Sequence, residues 1–299
     1  MKPFAIISDS SCNLTSAQVK EYGIDAIVPM HFYLNETEYE ASGDWTSIGA
    51  KEYYDAIRNG AKVRSSQASS QAYEETFRRF LAEGRDILSL SCARALSASV
   101  QESIAAKERL LKEFPDAKIK CIDSKNCMYS LAMMLIEIAK MRDAGKTVEE
   151  AEAWFEAEHQ NFNEVGTVDK LTYLRNAGRV SASAAFFGGV FSVKPIVVYD
   201  EEGHNVAIEK VRGRQGSLDR VAEYIQKYAN VEKNRNICIA HADCEEDAKA
   251  LGEKIRALYP ERELLFHYGF VEPGVGSAVG PGTLILGFYG DSAIRHLNK

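Results

Sequence analysis

Three short serine-bearing runs carry the residue types that could hold an anion. They are Asp9-Ser10-Ser11-Cys12-Asn13, Ser65-Ser66-Gln67 at the head of the stretch RSSQASSQAY (Arg64–Tyr73), and Ala95-Leu96-Ser97-Ala98-Ser99. Each stands where a strand should end, and in open α/β sheets ligands sit outside the carboxyl ends of the strands. Ser65, Ser66 and Ser97 also precede expected helices, whose first turns offer free N–H groups and positive partial charge. The same serines would serve equally well as N-caps satisfying their own helices. Asp9 could hold a metal, act as a base or cap local amides. His241, in IAHAD, could be a general base or a structural histidine at a strand end. Gly178-Arg179-Val180-Ser181 is a basic knuckle that either turns in solvent or presents its arginine to a phosphate or acidic partner.

Other chemistries find no support. Pro273-Gly-Val-Gly-Ser-Ala-Val-Gly-Pro-Gly282 superficially resembles a phosphate-cradling loop. A dinucleotide loop opens a helix, however, whereas this segment is expected to run into a strand at Thr283–Phe288, and Pro281 removes a donor. Close approach of the backbone to another group is the better use of these glycines. No G-x-S-x-G elbow is present. The six cysteines form no C-x-x-C pair and no zinc-type spacing, so they are expected to be buried reduced thiols. No metal or cofactor is expected. A formal net charge of -7 leaves no broad basic field for nucleic acid or an anionic membrane. The apolar run Phe4–Ile7 is too short for a signal-peptide core, and nothing approaches a membrane span, so the expected location is the cytoplasm.

Strands and helices must position these groups. Strands are expected at Phe4–Ile7, Ile24–Met30, Ile87–Leu90 and Lys118–Ile122, with a hairpin over His31–Glu40 turning at Asn35-Glu36. Helices are expected from about Gln71 to Ala82, Ala98 to Glu113 and Met128 to Ala144. Capping boxes stand at Thr15–Gln18 and Thr147–Glu150. This alternation implies a mostly parallel sheet covered by helices over residues 1–160. Beyond it, a hairpin around Asp200–Gly203, helices from Ser217 and Glu245, and strands near Ile237, Leu264 and Leu284 imply an α+β domain over residues 161–299. The fold class is therefore α/β in the first half with an α+β second domain.

Taken in order, these segments resemble the DegV family of bacterial fatty-acid-binding proteins. The family's D-S-[ST] appears as Asp9-Ser10-Ser11, its T-S-Q-P-S as Ser65–Ser69, its L-S-G-T-Y as Leu96–Val100 and its I-D-S as Ile122-Asp123-Ser124. The segment L-x-x-L-x-x-G-G-R-[IV]-S is matched by Leu171–Ser181, K-P-I by Lys194-Pro195-Ile196, and the closing H-x-G-x-G by Ala278–Gly282. The resemblance implies a long-chain fatty acid in a tunnel between two domains. It implies that Ser65, Ser97 and Ala278, with Ser66 and Gly280 beside them, stand at the carboxylate, and that Arg179 faces a separate fatty acid kinase. On that basis the chain is a non-enzymatic carrier without stable membrane insertion, expected to be a monomer. The kinase would phosphorylate the presented carboxyl group. Phe186, Phe187, Val190 and Phe191 are the expected tunnel wall, with plain core packing as the alternative.

The sequence departs from the family pattern at Ala278, which replaces the histidine, and at Ala68, Ala98 and Val100. Arg94 stands where the family usually carries serine. Arg94 or Arg64 is expected to compensate for the lost histidine, or else the head group differs. Two other functions stay open. One is a hydrolase or phosphotransferase using Ser97 or Asp9 with His241; the other is a sensor of a small carboxylate.

Overall fold

The computed structural model describes residues 4–181 and 193–297. The first apolar run forms β1 (Phe4–Asp9), buried at all six positions. It pairs in parallel with β2 (Ala26–Val28) and β6 (Asp86–Ser91), and β6 pairs in parallel with β7 (Ile119–Asp123), giving the order β2-β1-β6-β7. A parallel strand buried throughout must be covered on both faces. Four helices supply the cover: α3 (Ser70–Ala82) and α4 (Ser99–Leu110), then α5 (Met128–Asp143) and α6 (Val148–Glu158).

α5 has the composition of a fully enclosed helix. Leu131, Met134, Leu135 and Ile138 are completely buried. It packs on β1 and β6 with one side and on a second sheet with the other. That sheet has six strands in the order β10-β9-β8-β13-β11-β12. In chain order these are β8 (Phe162–Thr167), β9 (Val193–Tyr199), β10 (Asn205–Arg212), β11 (Asn236–His241), β12 (Leu265–Phe270) and β13 (Leu284–Tyr289). Its pairs are antiparallel except β11 with β12. One face carries Val165, Ile196, Leu286 and Phe288 into a core with α8 (Arg214–Tyr228) and α9 (Glu245–Leu258). The other face joins the core of the parallel sheet through Phe162, Val168, Val197 and Tyr199. The α/β first half and the mixed sheet agree with the sequence expectation.

Four local features differ from that expectation. β8, near the middle of the second sheet, carries the mixed sequence FNEVGT and shows no simple alternation. α2 (Ala50–Arg58) was likewise not anticipated. The serine-rich stretch opens as a strand rather than a loop: β5 (Val63–Ser66) pairs antiparallel with β3 (His31–Leu34), which also pairs with β4 (Thr37–Glu40). The glycine-rich segment is a correction of another kind. It follows β12 and forms a seven-residue helix, α10 (Pro273–Val279). Pro273 suits the first helical turn, and the preceding Glu272 caps it. Phe186, Phe187, Val190 and Phe191 lie outside the described residues.

A buried ion group pins the amino edge of the parallel sheet. Asp25 Oδ1 accepts from Arg85 at 2.7 Å, and its Oδ2 accepts from Arg142 at 2.6 Å and from the Ile6 N–H at 2.9 Å. The two guanidiniums also donate to the carbonyls of Phe4 and Gly23. Arg142 is wholly enclosed. Removing one member of such a group strands the opposite charges in a medium that solvates them poorly. Asp25→Ala is therefore expected to lower unfolding free energy by about 3–5 kcal/mol. Chemical denaturation checks this, and a loss below about 1 kcal/mol would show that water reaches both arginines.

Candidate functional site

The site begins where β1 ends. Asp9 is fully buried. Its Oδ1 accepts from the Ser11 N–H at 3.1 Å and from the Ser11 hydroxyl, and its Oδ2 accepts from the Cys92 N–H at 2.9 Å. Ser99 hydrogen-bonds to it as well. One carboxyl group thus ties together the loops that follow β1 and β6. Burial pushes its pKa up, and these donors pull it back down.

From Asp9 a line of hydroxyls runs toward an open space. Ser99 Oγ lies 3.0 Å from Ser97 Oγ and accepts from the Ala68 N–H at 3.3 Å. Ser97 reaches the wall of a cavity that opens to solvent. Ser11, Ser65 and Cys92 line it from the first half of the chain. β8, β9, β13 and α10 supply most of the remaining wall, which is largely apolar.

α10 is held against this cavity by unusually many polar ties for so short a helix. The Glu272 carboxylate accepts from the N–H groups of Gly274 at 2.8 Å and Val275 at 2.6 Å. The Glu272 N–H donates to Asn13 Oδ1, whose amide nitrogen donates to the Phe270 carbonyl. Tyr53 and Tyr54 on α2 donate to the carbonyls of Pro273 and Val271. Close approach demands glycine twice. A Cβ on Gly276 would stand 2.6 Å from the Tyr54 hydroxyl, and one on Gly280, where φ is +72°, would stand 2.3 Å from the Tyr173 ring.

The structure brings Ser65, Ser97, Ala278 and Arg179 onto this one cavity. Arg179 is exposed at its rim and donates from Nε to the Leu96 carbonyl at 3.1 Å, one residue before Ser97. Ser66 and Gly280 are not on the lining: Ser66 pairs with His31, and Gly280 closes α10. Neither expected compensating cation reaches the cavity. The Arg64 guanidinium lies over the Tyr33 ring at 3.4 Å, and Arg94 is exposed, its N–H donating to Asp123 Oδ1. Among the described residues on the lining, Arg179 is the only cation. His241 stays away from the lining. It packs on Phe270 at 4.4 Å, and its Nδ1 finds no partner among the described residues.

Sequence inspection missed Glu164 and Tyr199, both on the lining, and Glu272 behind it. The signal for Glu164 was an acidic residue inside a strand, sharing the face of Phe162 and Gly166 by period two. Burial pushes the carboxyls of both Glu164 and Glu272 up to about 7, against donors from Ser130 and Tyr199 in the first case and from Val275 and Gly274 in the second.

A pH dependence follows with a definite sign. A carboxyl whose pKa is higher folded than unfolded contributes stability that is complete below its unfolded value of 4.5 and is lost as pH rises through about 7. Between about pH 5.5 and pH 8 the wild type is expected to lose about 2 kcal/mol more than Glu272→Gln. The comparison with the variant cancels the opposite contribution of buried His241 and half-buried His267, whose pKa values desolvation lowers. Equal pH slopes for the two proteins, measured by urea unfolding, would show that Glu272 is ionised throughout.

The sequence matches the family described as "Uncharacterised protein, DegV family" over residues 3–291. It is 34% identical over 295 residues to a DegV domain-containing protein of Clostridium perfringens, covering 98% of this chain and 99% of that one. The fold is similar to that of a stearic acid-binding protein from Eubacterium ventriosum, with a TM-score of 0.85, 22% identity and coverage of 97% and 99%. It is also similar to a DegV family protein from Thermus thermophilus described by its fatty acid binding, with a TM-score of 0.84, 22% identity and coverage of 97% and 100%. Among the described residues no helix is long and apolar enough to cross a membrane.

Proposed function

The chain belongs to the DegV family, and from that premise we propose that it is a carrier that binds one long-chain fatty acid in the cavity and presents its carboxylate to a separate fatty acid kinase. The observation that carries this reading is the meeting of Ser65, Ser97, Ala278 and Arg179, far apart in sequence, on one largely apolar cavity. The fatty acids bound by the proteins from Eubacterium ventriosum and Thermus thermophilus support it. On this reading residues 1–160 and 161–299 act as two domains with the acyl chain between them.

The chemistry divides cleanly. An acyl chain needs a dry, largely preformed site. Its carboxylate needs charge-assisted hydrogen bonds, because an unpaired buried charge costs several kcal/mol. Ser97 and Ser65 donate these bonds. Arg179, at the rim, provides the positive charge that a histidine at position 278 would have given, and its exposure lets a kinase reach the same end of the ligand. The acyl phosphate formed there would leave with the carrier, so this chain needs no nucleotide site of its own.

Mass spectrometry of lipid extracted from the denatured protein is expected to find about one fatty acid per chain. Recovery of a small carboxylate or phosphate in its place would refute the carrier. Ser97→Ala removes one charge-assisted bond and is expected to weaken stearate binding about tenfold or more. Arg179→Ala should also slow kinase turnover on the bound fatty acid. Turnover equal to that of the wild type at saturating lipid would remove Arg179 from the kinase-facing role.

A further inference from the structure

The cavity wall contains a polar cluster that a plain hydrocarbon chain does not require. Glu164 sits on β8 with only 4% of its surface exposed, on the wall that also carries Gly166 and Val168. Its Oε1 accepts from the Ser130 N–H at 3.2 Å and from the Ser130 hydroxyl at 3.1 Å. Tyr199, on the same lining, hydrogen-bonds to it through its hydroxyl. Ser130 Oγ also reaches the Cys127 carbonyl at 2.8 Å, and the thiols of Cys127 and Cys92, both on the lining, lie 3.5 Å apart.

A methylene chain laid against this cluster would offer an already buried carboxyl and phenol no hydrogen bond. A leucine or valine at position 164 would continue the apolar wall of Val168 and Val197 instead. A carboxylate has about four acceptor sites, and a protonated carboxyl also has a donor. The Ser130 N–H, Tyr199 and the Ser130 hydroxyl proton, shared with the Cys127 carbonyl, leave room for a partner from the cavity. Burial puts the carboxyl pKa near 7, so it can accept from a hydroxyl or donate to one in neutral solution.

We propose that the cavity selects an acyl chain bearing a polar substituent, a hydroxy fatty acid, and that Glu164 and Tyr199 are the pair that reads its hydroxyl group. This rests on the carrier reading and narrows its substrate class. Capping by the Glu164 carboxyl of the Ser130 N–H in the first turn of α5 is compatible with it, since that bond uses Oε1 and leaves the rest of the carboxyl for a ligand.

The test is a comparison of affinities for stearic acid and for a panel of hydroxystearic acids differing in hydroxyl position, using delipidated full-length protein. At least one hydroxylated chain is expected to bind about tenfold tighter than stearic acid. Glu164→Leu is expected to abolish that preference and tighten stearic acid binding. Tyr199→Phe keeps the ring and removes only the hydroxyl; it should reduce the preference even if the leucine variant does not fold. A wild type that binds stearic acid as tightly as every hydroxylated chain overturns the proposal while leaving the carrier intact. So does an unchanged preference in the folded variants. Failure of all the chains to bind overturns the proposal and the carrier reading together.

Discussion

The site depends on a carboxyl group that has no access to water. Asp9 stands at the end of β1, and the loops after β1, β5 and β6 are tied to it directly or through one hydroxyl. Such a group is tolerated only when its acceptor positions are filled. The sequence around it fills them with the Ser11 N–H and hydroxyl, the Cys92 N–H and Ser99. The consequence is positional. The turn after β6 cannot shift without breaking a bond to Asp9, and Ser97 sits in that turn.

The two edges of the parallel sheet use buried charge differently. At the amino edge, Asp25 meets two guanidiniums and the charges compensate in place. At the carboxyl edge, Asp9 has only neutral donors, and Glu272, also buried, adds a second acid whose pKa the field of Asp9 raises further. One edge is electrically closed and serves as a clamp. The other carries uncompensated acidity and hydroxyl donors, which is where binding chemistry can be added. The cavity, its rim arginine and the short helix α10 all lie on the second.

Much of this was legible because it depends on local pattern. β1, β6, β7 and the helices between them announce themselves by apolar runs and caps, and the serine motifs single out Ser65 and Ser97, which line one cavity. What stayed hidden depends on neighbours distant in sequence. β8 reads FNEVGT because α5 packs on one of its faces and α8 on the other, so no alternation marks Glu164 as a strand residue. α10 reads as a glycine-rich approach to a strand because its helix is enforced from outside by Tyr53, Tyr54 and Asn13. Charge proximity in sequence misled in the same way. Arg94 adjoins the serine motif but points away, whereas Arg179, more than eighty positions on, donates to the Leu96 carbonyl.

On the proposed reading, the hydroxyl line from Asp9 lets a head group bind without orphaning a buried polar group. The Ser97 and Ser99 hydroxyls share one hydrogen bond at 3.0 Å. A carboxylate arriving at the cavity wall is a stronger acceptor than a hydroxyl, so the Ser97 proton turns to it. Ser99 then still bonds to Asp9 and still accepts from the Ala68 N–H, and no buried polar group is orphaned by the exchange. Rotation of one O–H bond replaces any movement of backbone. Because the acceptor behind Ser99 is a buried carboxyl rather than water, the line stays fixed in direction whether or not the cavity is filled. On the carrier reading, that arrangement would favour release, since the exchange of one hydrogen bond for another carries no penalty that would trap the ligand.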